Sequence, residues 1–164
     1  MAAARRQNEL QELVRRDQAQ PYVVADVRPS PGDGHLLQVV VENRGSTIAH
    51  DVGVSFDPPL QMKLGPEQGE FTQLSGGISF LPPGRSMTWH LGTSFSYYED
   101  GAAPPATRVT ITCRGPFGEL EPLVYTLSLA EMRHQEATAP GTLHRIETAV
   151  DKVAKAIEAA ARKR

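Results

Sequence analysis

Residues 36–56, LLQVVVENRGSTIAHDVGVSF, contain two apolar runs joined by a polar segment of turn-forming residues. Each run alternates apolar and polar residues with a period of two, which is typical of antiparallel strands with one buried and one exposed face. The segment between them predicts a reversal of the chain. The apolar positions are Leu37, Val39 and Val41 in the first run and Val52, Val54 and Phe56 in the second.

The same alternation recurs between residues 21 and 130, and Gly or Pro bounds most of the runs. This spacing predicts about seven short strands, while residues 60–77 read as a loop with one or two short edge strands. No helical pattern lies between the strands, which excludes a parallel α/β fold. The sequence therefore predicts a mainly β protein, an immunoglobulin-like antiparallel β-sandwich over residues 21–130. The predicted core comprises Trp89, Val39, Val41, Val54, Phe56, Val109, Ile111 and Tyr125.

Residues 1–20 predict a short N-terminal helix. The segment is rich in Ala, Arg, Gln, Glu and Leu and contains no Gly or Pro. Pro21 ends the helix because the residue before a proline is disfavoured in the α conformation. Its apolar stripe is thin, so we expect a poorly buried helix. The stripe consists of Leu10, Leu13 and Val14.

Residues 131–141 are predicted as a linker, and residues 142–164 as a longer amphipathic C-terminal helix with Thr142 as its N-cap. Apolar residues recur there at spacings of three and four, as in a coiled-coil seam. We expect this seam to drive oligomerisation or to bind a partner helix; docking on its own sandwich is the alternative. The seam residues are Leu143, Ile146, Val150, Val153 and Ile157.

Charge and composition exclude several classes of protein. The net charge is −2, and residues 21–130 hold six Lys or Arg against eleven acidic residues, which argues against nucleic-acid binding. The single Cys113 excludes an intrachain disulfide and a cysteine-based metal cluster. No apolar run approaches the roughly 20 residues that span a bilayer, and residues 1–10 lack the apolar region of a secretory signal. We expect a cytoplasmic protein, or a membrane-associated one if an N-terminal anchor precedes this chain.

Two motifs carry a resemblance to a known family. Residues 41–45, VENRG, and 49–52, AHDV, resemble the "V-x-N-x-G" and "A-x-D-V" signature of bacterial immunoglobulin-like domains of the CARDB type. Residues 81–84, LPPG, followed by the strand at 87–91, resemble the later "L-x-P-G" turn of those domains. The resemblance covers about residues 22–130 and extends to uncharacterised actinobacterial proteins with a membrane-anchored helical stalk. It implies a fold used for adhesion, surface display or assembly, with no catalytic residues to transfer.

Residues with catalytic or metal-binding chemistry form no recognisable motif. The five His show none of the short pair spacings of metal-binding helices. Cys113 shares a strand face with Val109 and Ile111, as a small core residue would. Neither a nucleophile elbow nor a phosphate-binding glycine loop is present. We therefore predict no catalytic, cofactor-binding or metal-binding residues.

The loop around residues 95–100 is the best candidate for partner binding, because it combines three aromatic side chains with two acidic ones. The alternative is that Phe95 and one tyrosine fold back and cap the end of the sandwich. The candidate residues are Phe95, Tyr97, Tyr98, Glu99 and Asp100.

The function predicted from sequence is a non-enzymatic protein-interaction or structural module. One alternative is a structural component of a surface or virion assembly. Another is a carbohydrate-binding domain or a hydrolase that uses the loop at residues 95–100.

Overall fold

The computed structural model describes residues 2–32, 34–65, 67–98, 104–134, 150, 152 and 153. In chain order the elements are α1 (Ala2–Gln18), β1 (Val23–Pro29), β2 (Leu36–Asn43), β3 (Ala49–Asp57), β4 (Gln61–Leu64), β5 (Glu67–Glu70), β6 (Ile78–Leu81), β7 (Ser86–Thr93), α2 (Ser94–Tyr98), β8 (Thr107–Gly115), β9 (Gly118–Glu119), β10 (Leu123–Leu127) and a 3₁₀ helix (Leu129–His134).

The strands form two sheets, which confirms the prediction of a mainly β protein. One sheet has the order β1-β2-β7-β4-β5, and the other has the order β10-β8-β3-β6, with β9 paired to β8. All pairs are antiparallel except β4 with β7, which meet in parallel where Lys63 lies beside Gly92. The two sheets enclose one apolar core, an arrangement compatible with an immunoglobulin-like fold.

The core follows the period-two pattern of the sequence. In β1 and β8 alternate residues are buried, because one face of each strand packs against the opposite sheet. In β2, Leu37, Val39 and Val41 follow the same pattern, but Val40 on the other face is also buried. The predicted core residues divide into two groups: Val39, Val41, Val109 and Ile111 are buried, while Val54, Phe56, Trp89 and Tyr125 are partly exposed and pack against that core.

The described residues contain ten strands, against about seven predicted. Two of the extra strands, β4 and β5, form a hairpin through Gly65, whose φ is 56°. Both fall within residues 60–77, where the sequence predicts one or two short edge strands; β4 alternates polar and apolar residues, while β5 is polar. The third, β9, has two residues and pairs with the end of β8.

The predicted linker and C-terminal helix lie almost entirely outside the described residues. Residues 131–134 belong to the 3₁₀ helix. Val150 and Val153 are helical and exposed by 60% and 59%. The other three seam residues, Leu143, Ile146 and Ile157, fall outside the described part of the chain.

Candidate functional site

The segment predicted as a binding loop begins with the short helix α2. Phe95 is 65% exposed, and its ring lies 4.7 Å from the His35 ring, centroid to centroid. Tyr97 is buried, and the Tyr98 hydroxyl donates a hydrogen bond of 2.6 Å to the Leu129 carbonyl. Glu99 and Asp100 lie outside the described residues. The structure thus turns two of the aromatic side chains towards the protein and leaves Phe95 at the surface.

The thiol of Cys113 is half-buried on β8, packed against the core. Burial raises the pKa of this thiol, which lowers the fraction of reactive thiolate at neutral pH. Within the described ranges, no group of three or more His, Cys, Asp and Glu side chains is placed to hold a metal ion.

Asn43, at the end of β2, has a side chain buried at the junction of several segments. Its amide nitrogen donates to the carbonyls of Thr47 and Leu81, both at 2.8 Å. Its amide oxygen accepts from the backbone N–H groups of Tyr22 at 3.2 Å and Gly45 at 2.9 Å. These five residues are here called the Asn43 junction. The junction joins the entry to β1, the β2–β3 loop and the end of β6.

The backbone of Asn43 extends the junction to the turn before β7. Its N–H donates to the Arg85 carbonyl at 3.1 Å, and its carbonyl accepts from the Gly84 N–H at 2.8 Å. The two sequence motifs around residues 41–45 and 81–84 therefore meet at one side chain. The local sequence around Asn43 and Gly45 predicts only a reversal of the chain, because hydrogen bonds to distant segments leave no local pattern.

The C-terminal end of α1 is fixed to this part of the sandwich. The Ser46 hydroxyl donates to the Gln18 carbonyl at 2.6 Å, and the Thr47 hydroxyl donates to the Ala19 carbonyl at 2.9 Å. Both carbonyls lie at or just beyond the helix end, where backbone acceptors lack partners within the helix. A methyl group at Gly45 would lie only 2.3 Å from the Tyr22 backbone nitrogen, so only glycine fits there.

The rest of α1 is exposed. Every described side chain from residue 6 to residue 18 lies at the surface. Leu10 and Leu13 are each 57% exposed and Val14 is 53% exposed. The Arg16 guanidinium lies 5.5 Å from the centre of the Phe117 ring, which places a cation–π contact beside the helix end. The α1 helix is therefore anchored at its C-terminal end and open along its apolar stripe.

Comparison with known proteins identifies a family. No helix in the described part of the chain is long and apolar enough to cross a membrane. The searches of curated proteins and of solved structures gave no significant match. A family model described as "Domain of unknown function (DUF8453)" matches residues 1–133, a range that includes α1 and both sheets. Because this match covers well over half of the sequence, the chain belongs to the DUF8453 family.

Proposed function

We propose that this protein is a non-enzymatic interaction module whose sandwich holds α1 for antiparallel pairing with α1 of a second copy. The observation that carries the proposal is the combination of an anchored helix end with an exposed apolar stripe. Hydrogen bonds from Ser46 and Thr47 fix where the helix leaves the sandwich. Leu10 and Leu13 nevertheless remain more than half exposed.

The residue spacing on α1 is self-complementary. Arg6, Leu10, Leu13 and Asp17 follow one another at intervals of four, three and four, which places them on one face of the helix. In an antiparallel pair, Leu10 of each copy lies opposite Leu13 of the other, and Arg6 lies opposite Asp17. Both ends of the apolar stripe then form ion pairs between the copies. This arrangement also keeps the two sandwiches at opposite ends of the helix pair.

The energetics predict a weak association. Covering the exposed parts of Leu10 and Leu13 in both copies contributes on the order of 4 kcal/mol. Loss of translational and rotational freedom on association costs at least about 4 kcal/mol. The net stability of the dimer therefore depends on the Arg6–Asp17 ion pairs and on burial of Val14. Pairing also stabilises α1 itself, since a 17-residue helix is marginal alone in water.

Sedimentation velocity of the full chain over a concentration series tests this proposal. We expect a reversible dimer that Leu13→Asp abolishes. Asn8→Asp is the matched control, since it adds the same charge on the opposite, exposed face of α1. A wild-type protein that stays monomeric at high micromolar concentration would refute the pairing. A dimer that persists in Leu13→Asp would assign association to another surface, such as the predicted C-terminal seam.

A charge exchange tests the antiparallel register. Arg6→Asp alone and Asp17→Arg alone should each weaken the dimer, because each places like charges opposite one another. The double variant Arg6→Asp/Asp17→Arg should restore it. If the double variant is weaker than both single variants, the antiparallel register is wrong.

The CARDB-type assignment of the sandwich is part of the same proposal. It is supported by the hydrogen bonds that join Asn43, in the first motif, to Leu81 and Gly84, in the second. Residues that define a fold are expected to contact one another in this way. An experimental structure compared with such domains tests it, and a different order of strands in either sheet would contradict it.

A further inference from the structure

A cavity of about 260 Å³ lies at the end of the sandwich opposite the Asn43 junction. It is bounded by two proline pairs at residues 58–59 and 104–105, together with Leu60, Leu129, Tyr97 and Lys63. The wall is mostly apolar; Lys63 contributes an ammonium group and Tyr97 a phenol, and Gln61 and Thr107 add two further polar side chains. Small-molecule sites in proteins commonly have this composition, an apolar wall with a few polar groups.

Tyr97 has an unsatisfied hydroxyl. The residue is only 6% exposed, and its oxygen is buried with no hydrogen-bond partner. A buried hydroxyl without a partner is unfavourable and calls for an explanation. Burial, with a smaller effect of Tyr98, raises the pKa of this phenol further above neutral. The neutral hydroxyl therefore has one O–H donor that no partner accepts in the described part of the chain.

Lys63 brings a positive charge to the same place. Its ammonium group donates to the Ser96 carbonyl at 3.0 Å and lies 5.4 Å from the centre of the Tyr97 ring. An ammonium group has three donors, so two remain after this bond. Among the residues that the structure describes, no carboxylate forms a salt bridge with Lys63.

The walls of the cavity are held in place by contacts within the protein. The Thr107 hydroxyl donates to the Pro58 carbonyl at 2.6 Å, and the Tyr98 hydroxyl holds the Leu129 carbonyl at the same distance. Proline rings restrict the backbone of the remaining wall. Gly92 permits the close approach of Lys63 and Tyr97, because a methyl group at residue 92 would lie 2.6 Å from the Lys63 carbonyl oxygen. A preformed site of this kind loses little entropy when it binds a ligand.

We propose that this cavity binds a small monocarboxylate with an apolar body, whose carboxylate accepts hydrogen bonds from Lys63 and Tyr97. The apolar body of the ligand packs against the prolines and leucines of the wall. The volume limits the ligand, since about 260 Å³ is slightly below the usual range for drug-sized molecules. This site is independent of α1, which lies at the opposite end of the sandwich.

Titration of the full chain with phenylacetate, followed by NMR, tests the proposal on the wild-type protein. Phenylacetamide is the matched probe, because it keeps the ring and removes the negative charge. We expect saturable binding of phenylacetate at low millimolar concentration or below, and affinity for phenylacetamide at least tenfold lower. Absence of saturable phenylacetate binding, or equal binding of the two probes, would overturn the proposal.

Two variants locate the site. Lys63→Met and Tyr97→Phe should each weaken phenylacetate binding about tenfold or more, as the loss of a hydrogen bond to a charged group does. The controls Lys152→Met and Tyr22→Phe make the same changes at exposed positions and should leave binding unchanged. Thermal unfolding verifies that the variants are folded. The comparison of phenylacetate with phenylacetamide uses the wild-type protein and does not depend on the variants. Unchanged affinity in both Lys63→Met and Tyr97→Phe would show that phenylacetate binds elsewhere.

Discussion

Replacing Asn43 by Ala removes the four side-chain hydrogen bonds of the Asn43 junction at once. Their lengths are 2.8, 2.8, 2.9 and 3.2 Å, and the residue is fully buried. At about 1 kcal/mol for each bond, the free energy of unfolding should fall by about 4 kcal/mol. The buried Leu81 carbonyl also loses a donor, which adds to the loss rather than offsetting it. Such a loss is a large share of the roughly 5–15 kcal/mol that stabilises a typical domain.

Urea unfolding followed by Trp89 fluorescence measures this loss, since Trp89 packs against the core. For a slope of about 2 kcal/mol per molar urea, the midpoint should fall by about 2 M. Gln38→Ala on the same strand is the control, because its amide meets the His90 ring in a long, exposed contact of 3.4 Å. That control should change stability by about 0.5 kcal/mol at most.

The outcome that would refute this reasoning is a small effect of the buried substitution. If Asn43→Ala lowers the midpoint no more than Gln38→Ala does, the four hydrogen bonds do not stabilise the fold. The asparagine in the V-x-N-x-G pattern of residues 41–45 would then need a physical explanation other than these hydrogen bonds.

Two further predictions concern close approach and an open strand edge. Gly45→Ala should destabilise the fold by about 1–3 kcal/mol, because the new methyl group would meet the Tyr22 backbone at 2.3 Å. Gly76→Ala is the control, because a methyl group at residue 76 would have no other atom within 4 Å. Urea unfolding measures both variants, and equal unfolding midpoints for Gly45→Ala and Gly76→Ala would contradict the prediction. Tyr125→Phe should cost about 1–3 kcal/mol, because the Tyr125 hydroxyl accepts from the Ala25 N–H at 2.9 Å and donates to the Ala25 carbonyl on β1. Light scattering should also detect more aggregation than for Tyr22→Phe, since β1 is an edge strand, and unchanged stability would argue against this role.

The sequence by itself determined the mainly β class, the position of α1 and the buried face of the longer strands. These features follow from local patterns, such as the alternation of Val109 and Ile111 with polar neighbours in β8 or the absence of Gly and Pro before Pro21. For β4 and β5 it predicted only one or two short edge strands within residues 60–77, and it did not determine their boundaries or their pairing as a hairpin. The roles assigned to the C-terminal seam stay predictions.

Only the tertiary structure decided which side chains complete a site. Asn43 bonds to Leu81, 38 residues away, and Tyr125 bonds to Ala25, 100 residues away. Tyr97 and Phe95 lie in one short aromatic run, yet one is buried and the other is exposed, because Tyr97 faces Lys63 from β4 while Phe95 lies beside His35. Burial of a loop side chain depends on what distant segments place around it, and the local sequence carries no record of those neighbours.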